Sequence, residues 1–209
     1  MKSMMAVGVA ALLTVGCAGV GTREDGRWVP ADRDYLTLIH AAGVLYSDGQ
    51  GSASLVRSTA GRVYVITAAH CVNLGGNIPA PSITWRGSDC QFVRWCPDAD
   101  VALYAWEGAD FGRPVAASAP RPNESVWMCG YPQGFFTIAK GRHTALSVWG
   151  HEGDYCGMPG ASGAGVYAWR GGEFKLVGIH VRGRNLEGCR LPQSYFAAWE
   201  AVDGLVNAD

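Results

Sequence analysis

At 209 residues, 48% of them apolar, the chain is long enough for one substantial core or two small subdomains. Its 17 basic and 18 acidic side chains nearly cancel, which argues against both a disordered chain and a nucleic-acid-binding surface. The 29 glycines, 10 prolines and 8 tryptophans point away from a helical bundle and toward an all-β domain of short strands and tight turns.

The chain begins with Met1-Lys2-Ser3 and then an uncharged run from Met4 to Val20, the charge-then-apolar order of an export signal. Within it, Leu13-Thr14-Val15-Gly16-Cys17 resembles a bacterial lipobox, although the leucine stands one place further from Cys17 than usual, with Thr14 in its slot. That resemblance implies a signal peptide over 1–17, lipidation of Cys17, membrane attachment through the lipid and a cell-envelope location. Ordinary cleavage with secretion, an uncleaved anchor and a buried helical thiol are the alternatives. The polar stretch 18–34 lacks period-two alternation and reads as a tether, leaving 35–209 as the folded domain. Without Cys17, the cysteines are Cys71, Cys90, Cys96, Cys129, Cys156 and Cys189, an even number that allows up to three disulfides after export. No CxxC pair supports zinc ligation instead, and the spacing of His143, His151 and Cys156 fits no familiar metal pattern, so neither metal nor cofactor is expected.

From Tyr35 onward, apolar bursts alternate with turn signals. LTLIHAAGVLY precedes Ser47-Asp48-Gly49, SASLVRS precedes Thr59-Ala60-Gly61, and RVYVITAAHCV precedes Asn73-Leu74-Gly75-Gly76. SITWRG, QFVRW, DVALYAW, SVWMCGY, FTIAKG, ALSVWG, GAGVYAW and FKLVGIHVRG continue the series, each short and rich in Val, Ile, Trp and Tyr. About a dozen strands would suit two six-stranded antiparallel barrels. Only the C-terminus reads as helix. There Tyr195, Phe196, Trp199, Val202, Leu205 and Val206 recur at three- and four-residue intervals, with Ser194 as candidate cap.

Three segments carry chemistry, in the order Thr67-Ala68-Ala69-His70-Cys71, Asp100-Val101-Ala102-Leu103 and Gly160-Ala161-Ser162-Gly163. A serine hydroxyl is a poor nucleophile until a base takes its proton, and a histidine with an ordinary pKa of about 6.5 can take it and return it. An aspartate on the other ring nitrogen fixes the tautomer, and small residues around the serine let backbone amides converge on an oxyanion. Asp98 is the rival to Asp100 but lacks the Val-Ala-Leu continuation. The α/β-hydrolase alternative fails because Ala164 occupies its final motif glycine, the order of serine, acid and histidine is wrong, and strands do not alternate with helices.

From about Tyr35 to its end, the chain resembles the chymotrypsin-like serine proteases, in which T-A-A-H-C, D-x-A-L and G-x-S-G recur in this order. The resemblance implies two β-barrels, a His70, Asp100, Ser162 triad, an oxyanion hole of the Gly160 and Ser162 amides, and protein or peptide substrates. It implies a specificity pocket closed by a Cys156–Cys189 disulfide and lined by His180, Val181, Arg182 and Gly183, with Val181 to Gly183 pairing to substrate backbone. Bacterial glutamyl endopeptidases place a histidine where His180 falls and resemble Gly130-Tyr131-Pro132, which implies acidic side chains before the cut, with Arg182 and Arg184 adding positive charge. A plain strand histidine is the alternative for His180. Ala161 replaces an aspartate that in many relatives receives a newly cut N-terminus, and Gly51 stands where the usual partner of Cys71 would be. A protease-fold binding protein without useful turnover, and an esterase with the same triad, are the competing functions.

Overall fold

Pairing registers arrange the strands into two sheets. The structure, a computed structural model, describes residues 35–46, 50–73, 78–107, 115–147, 150–183 and 194–208. The expected signal peptide, tether, Cys17, Arg184 and Cys189 lie outside these residues.

The first sheet holds β1 (Ala42–Tyr46), β2 (Gln50–Arg57), β3 (Val63–Ala68), β4 (Ser82–Trp85), β5 (Ser88–Cys96), β6 (Val101–Trp106) and β7 (Val115–Ala116). Its order is β1-β4-β5-β6-β3-β2-β7, and β1 also pairs with β2, so β1 to β6 make a six-stranded antiparallel barrel. The two-residue β7 adds to β2 in parallel. The second sheet is a closed barrel in the order β10-β13-β12-β11-β8-β9. Its members are β8 (Ser125–Gly130), β9 (Thr137–Ser147), β10 (Gly150–Gly153), β11 (Gly165–Arg170), β12 (Glu173–Gly183) and β13 (Ser194–Phe196).

Period-two alternation assigns the two faces of the second barrel's strands to different cores. Val126 and Met128 of β8 and Val166 and Ala168 of β11 point into the barrel, where Val177 and Phe196 meet them. The intervening Trp127, Cys129 and Tyr167 face outward into the cluster that contains the first barrel's Leu55, Ile66 and Leu103. Both faces are therefore apolar, and the burial pattern of β8 is continuous after its first residue. Full burial of each large member contributes roughly 1.5–3 kcal/mol.

Two expectations are corrected. Tyr35–Ala41, read as the start of a strand, is a short helix, α1, that buries Leu38 and Ala41. At the other end, Ser194 does not cap a helix: Ser194, Tyr195 and Phe196 form β13, and the helix, α2, spans Trp199–Asn207. The register explains this, since β13 pairs with both β10 and β12 and completes the barrel. α2 then returns to the first barrel, burying Val202, Leu205 and Val206. There Arg94 of β5 donates Nε–H to Leu205 O at 2.8 Å and Nη2–H to Ala208 O at 2.5 Å, a cation at a helix C-terminus.

The expectation of up to three disulfides is narrowed, since Cys156 is disulfide-bonded but four other cysteines are not. Cys71, Cys90, Cys96 and Cys129 are thiols, and no disulfide joins two of the described residues. Cys71 shows why. A Cβ built on Gly51 would lie 2.8 Å from Cys71 Sγ and 3.0 Å from its Cβ, so a glycine does occupy the partner position. Gly51→Cys, with about half an ångström of backbone relaxation, is expected to form a disulfide with Cys71 under oxidising conditions. Closing that short loop should add on the order of 3 kcal/mol, read as a rise in thermal midpoint that reductant reverses.

Candidate active site

Antiparallel pairing of β3 with β6 builds the first half of the site. Ala68, the last residue of β3, pairs with Val101, the first of β6, so the residues just beyond those ends must meet. Ala69 donates its N–H to Asp100 O at 2.9 Å, and His70 lies in the 3-10 turn Ala69–Cys71. Asp100 accepts the His70 main-chain N–H on Oδ1 at 2.9 Å and pairs with the ring Nδ1 through Oδ2 at 2.5 Å. Its backbone φ of 55° lies in the left-handed region, which aspartate tolerates better than most residues. Asp98, the rival acid, is exposed.

The Asp100 hydrogen bond, helped by Cys71, pushes the His70 imidazolium up to about 10, while partial burial acts the other way. A carboxylate facing one ring nitrogen leaves the other free to serve an incoming hydroxyl.

The second half is the turn from Met158 to Ala164. Ala161 donates to Met158 O and Ala164 to Ala161 O, both at 2.9 Å. Gly160 and Gly163 both have φ of 85°. Gly163 also lacks room: a Cβ there would sit 1.9 Å from Ser52 O and 2.3 Å from Thr67 Oγ1. Ser162 presents its carbonyl to the first barrel, accepting Ser52 N–H at 2.8 Å and the Cys71 thiol at 3.6 Å, so its backbone lies against the residue that follows His70. Ala161 is fully buried in the apolar cluster of the second barrel and itself carries no carboxylate to receive a newly cut N-terminus.

His180 joins the same site. Gly163 N–H donates to His180 O and His180 N–H to Ala164 O, both at 2.8 Å, which sets the serine turn beside β12. Its side chain is 2% exposed, with Nδ1 3.1 Å from Tyr155 Oη. Burial, followed by the positive charge of His70, lowers its pKa to about 4. A Cβ on Gly157 would meet its Cε1 at 2.7 Å and Nε2 at 2.9 Å, so only a glycine lets the segment after Cys156 pack against the imidazole edge.

Of the other expected pocket residues, Cys156 is half-buried, Val181 is buried, and Arg182 and Gly183 are exposed. β13 pairs with one edge of this stretch, at Arg182 and Gly183, across a register shift after His180. Cys156 is disulfide-bonded, and Cys189, its expected partner, lies outside the described residues.

Sequence reasoning missed Ser52, Tyr155 and Ser194. Ser194 accepts Gly157 N–H at 3.1 Å and donates to Tyr155 O at 2.9 Å, holding the wall beside His180. Nothing local to Ser194 signals this, because its partners lie on a distant loop. The expected absence of a metal pattern concerns His143 and His151. His151 Nδ1 lies 3.1 Å from His143 Nε2, His143 Nδ1 donates to Arg121 O at 3.0 Å, and no cluster of three metal-ligating side chains occurs among the described residues.

Comparisons with known proteins place this geometry. No family model and no curated protein matches the chain. Among solved structures, it is similar to a serine endoprotease from Yersinia pestis, with 19% identity, 86% of this chain and 66% of that one covered, and a TM-score of 0.65. It is also similar to the inactive form of the Rv3671c protease, with 19% identity over 81% of this chain and 89% of that one at a TM-score of 0.58. A serine-to-alanine mutant of Rv3671c from M. tuberculosis H37Rv, again an inactive form, gives 16% identity, 85% and 92% coverage and a TM-score of 0.60. With two six-stranded antiparallel barrels and a short C-terminal helix, the chain has the chymotrypsin-like fold of the serine proteases.

Proposed function

We propose that the protein is a serine endopeptidase in which His70, Asp100 and Ser162 act as the catalytic triad. The observation that carries this reading is Asp100 accepting both the main-chain N–H and the ring Nδ1 of His70, on the strand pair that faces the Ser162 turn. Asp100 holds the imidazole in one tautomer, so Nε2 is the nitrogen that takes the proton from Ser162 Oγ as the oxygen attacks the scissile carbonyl. The Gly160 and Ser162 N–H groups stabilise the oxyanion, each such donor being worth about 2.7 to 4 kcal/mol of barrier. His70 then protonates the leaving amine, and water hydrolyses the acyl-enzyme by the same route in reverse. The buried Ala161 supports a site assembled without N-terminal insertion.

The test is a fluorophosphonate probe applied to the purified full chain. Ser162 should label in the wild type and not in Ser162→Ala, and a wild type that labels no better than the variant would mean a binding protein on a protease fold. Comparing ester with peptide substrates separates endopeptidase from esterase.

The finer reading is a preference for Glu or Asp before the cut, received by His180. Because burial holds His180 neutral near pH 7, an acidic side chain would bring a proton in with it. The KM for glutamyl peptides should therefore fall as pH drops from 8 to 6, relative to the KM for uncharged peptides. Equal pH dependence for both peptide classes would remove His180 from substrate recognition.

We further propose export to the cell envelope through lipidated Cys17. This rests on the N-terminal sequence, and the disulfide at Cys156 is in keeping with an oxidising compartment. Mass spectrometry of the mature N-terminus decides between a lipidated Cys17, a cleaved unmodified chain and an intact one.

A further inference from the structure

Ser52 of β2 is tied to the serine turn at both Gly160 and Ser162. It is fully buried, and all of its polar groups are engaged. Its N–H donates to Ser162 O at 2.8 Å. Its hydroxyl donates to Gly160 O at 3.2 Å and accepts Tyr131 N–H at 2.8 Å. Its carbonyl accepts Thr67 Oγ1–H at 2.7 Å. One residue of the first barrel thus holds both proposed oxyanion donors' residues and the end of β8.

We infer that Ser52 is a positioning residue that sets the Gly160 amide of the oxyanion hole, a reading that rests on the proposed peptidase mechanism. The peptide plane between Gly160 and Ala161 is tied at both of its polar atoms. Gly160 C=O is held by the Ser52 hydroxyl, and Ala161 N–H by Met158 O at 2.9 Å. Gly160, at φ 85°, has the conformational latitude to turn its own N–H away, and fixing the following plane removes much of that latitude.

The Tyr131 bond completes the clamp. Tyr131 leads into the turn Pro132–Gly134, and Gln133 N lies 2.9 Å from where a Gly160 Cβ would be. The same hydroxyl therefore locks the segment that abuts Gly160 on its other side. Close approach is built in, since a Cβ on Gly130 would meet Ser52 Oγ at 2.7 Å and Ala164 Cβ at 2.6 Å. His70 and Asp100 come from the first barrel and Gly160 and Ser162 from the second, so Ser52 sets one half of the site against the other.

Ser52→Ala and Ser52→Gly both delete the hydroxyl and keep the N–H and C=O, and they are to be compared with wild type in the full chain. Active sites are counted by fluorophosphonate labelling and folding is checked by the thermal midpoint. The expected result is a loss of kcat per labelled site on the order of a hundredfold with KM unchanged. Affinity for a peptidyl trifluoromethyl ketone, which forms an oxyanion on Ser162, should fall by a similar factor, while peptide affinity measured in a Ser162→Ala background stays constant. A lower thermal midpoint with unchanged kcat per site, or a change confined to KM, would overturn the role. If wild type neither labels nor turns over peptide, the peptidase reading falls first and this inference with it. Labelling and turnover in wild type that persist at full rate in both variants defeat the inference alone.

Discussion

Replacing Ser162 by Ala is expected to lower kcat by about a millionfold, and replacing Asp100 by Asn by about ten-thousandfold. The two losses differ in kind. Without Ser162 no acyl-enzyme forms, whereas Asn at position 100 can still meet the His70 ring but favours the tautomer that points its proton at Ser162. The pH profile separates them further. Only neutral His70 can accept a proton, and the Asp100 hydrogen bond, with Cys71 second, raises its pKa from 6.5 to about 10. Wild-type kcat/KM should therefore fall as pH drops through a value well above 6.5. The residual activity of Asp100→Asn should hold to lower pH, its acid limb moving back toward 6.5 as the stabilised imidazolium is lost. Stopped-flow or discontinuous peptide assays across pH 5 to 10 measure both effects, and an unshifted limb in Asp100→Asn would dissociate the carboxylate from the base.

The second large effect concerns stability. Gly163→Ala would place a Cβ 1.9 Å from Ser52 O and 2.3 Å from Thr67 Oγ1, at a φ of 85° that L side chains rarely adopt. The colliding atoms are a strand carbonyl and a hydroxyl already bonded to it, neither of which can swing aside. Relief requires separating the Ser162 turn from β2, which breaks the Ser52 N–H bond to Ser162 O. The expected loss is about 4 kcal/mol or more, at the upper end for a single substitution, read from denaturant unfolding. Gly171→Ala is the control: its φ is 59° but no atom lies within 4 Å of the added Cβ, so it should cost about 1 kcal/mol of backbone strain alone. Comparable losses at both positions would show that backbone conformation, and not contact between the barrels, sets the cost.

The parts of the fold legible in sequence are those set by local chemistry. Alternation within β8 and β11 and the turn residues between bursts mark strands, because each side chain's face depends only on its neighbours two places away. His70 and Ser162 stand in distinctive local runs for the same reason: a turn after β3 and a small-residue turn before β11 are short-range structures. Asp100 was legible only weakly, since its claim over Asp98 depends on the Ala68 to Val101 register, which joins segments about thirty residues apart.

Sequence by itself determined the all-β class, the chemical types at the site and the substitution of Gly51 for a cysteine, since these follow from residue identity and short spacing. Tertiary structure alone decided the rest. Tyr35–Ala41 is helical because packing of Leu38 and Ala41 outweighs the strand-like pattern of the run, and Ser194–Phe196 leaves its helical periodicity because two strands wait for it in the barrel. Ser52, Tyr155 and Ser194 acquire their roles from hydrogen bonds spanning 25 to 108 positions of chain. Such partners share no local pattern, and only the closing of two barrels against each other brings them within reach.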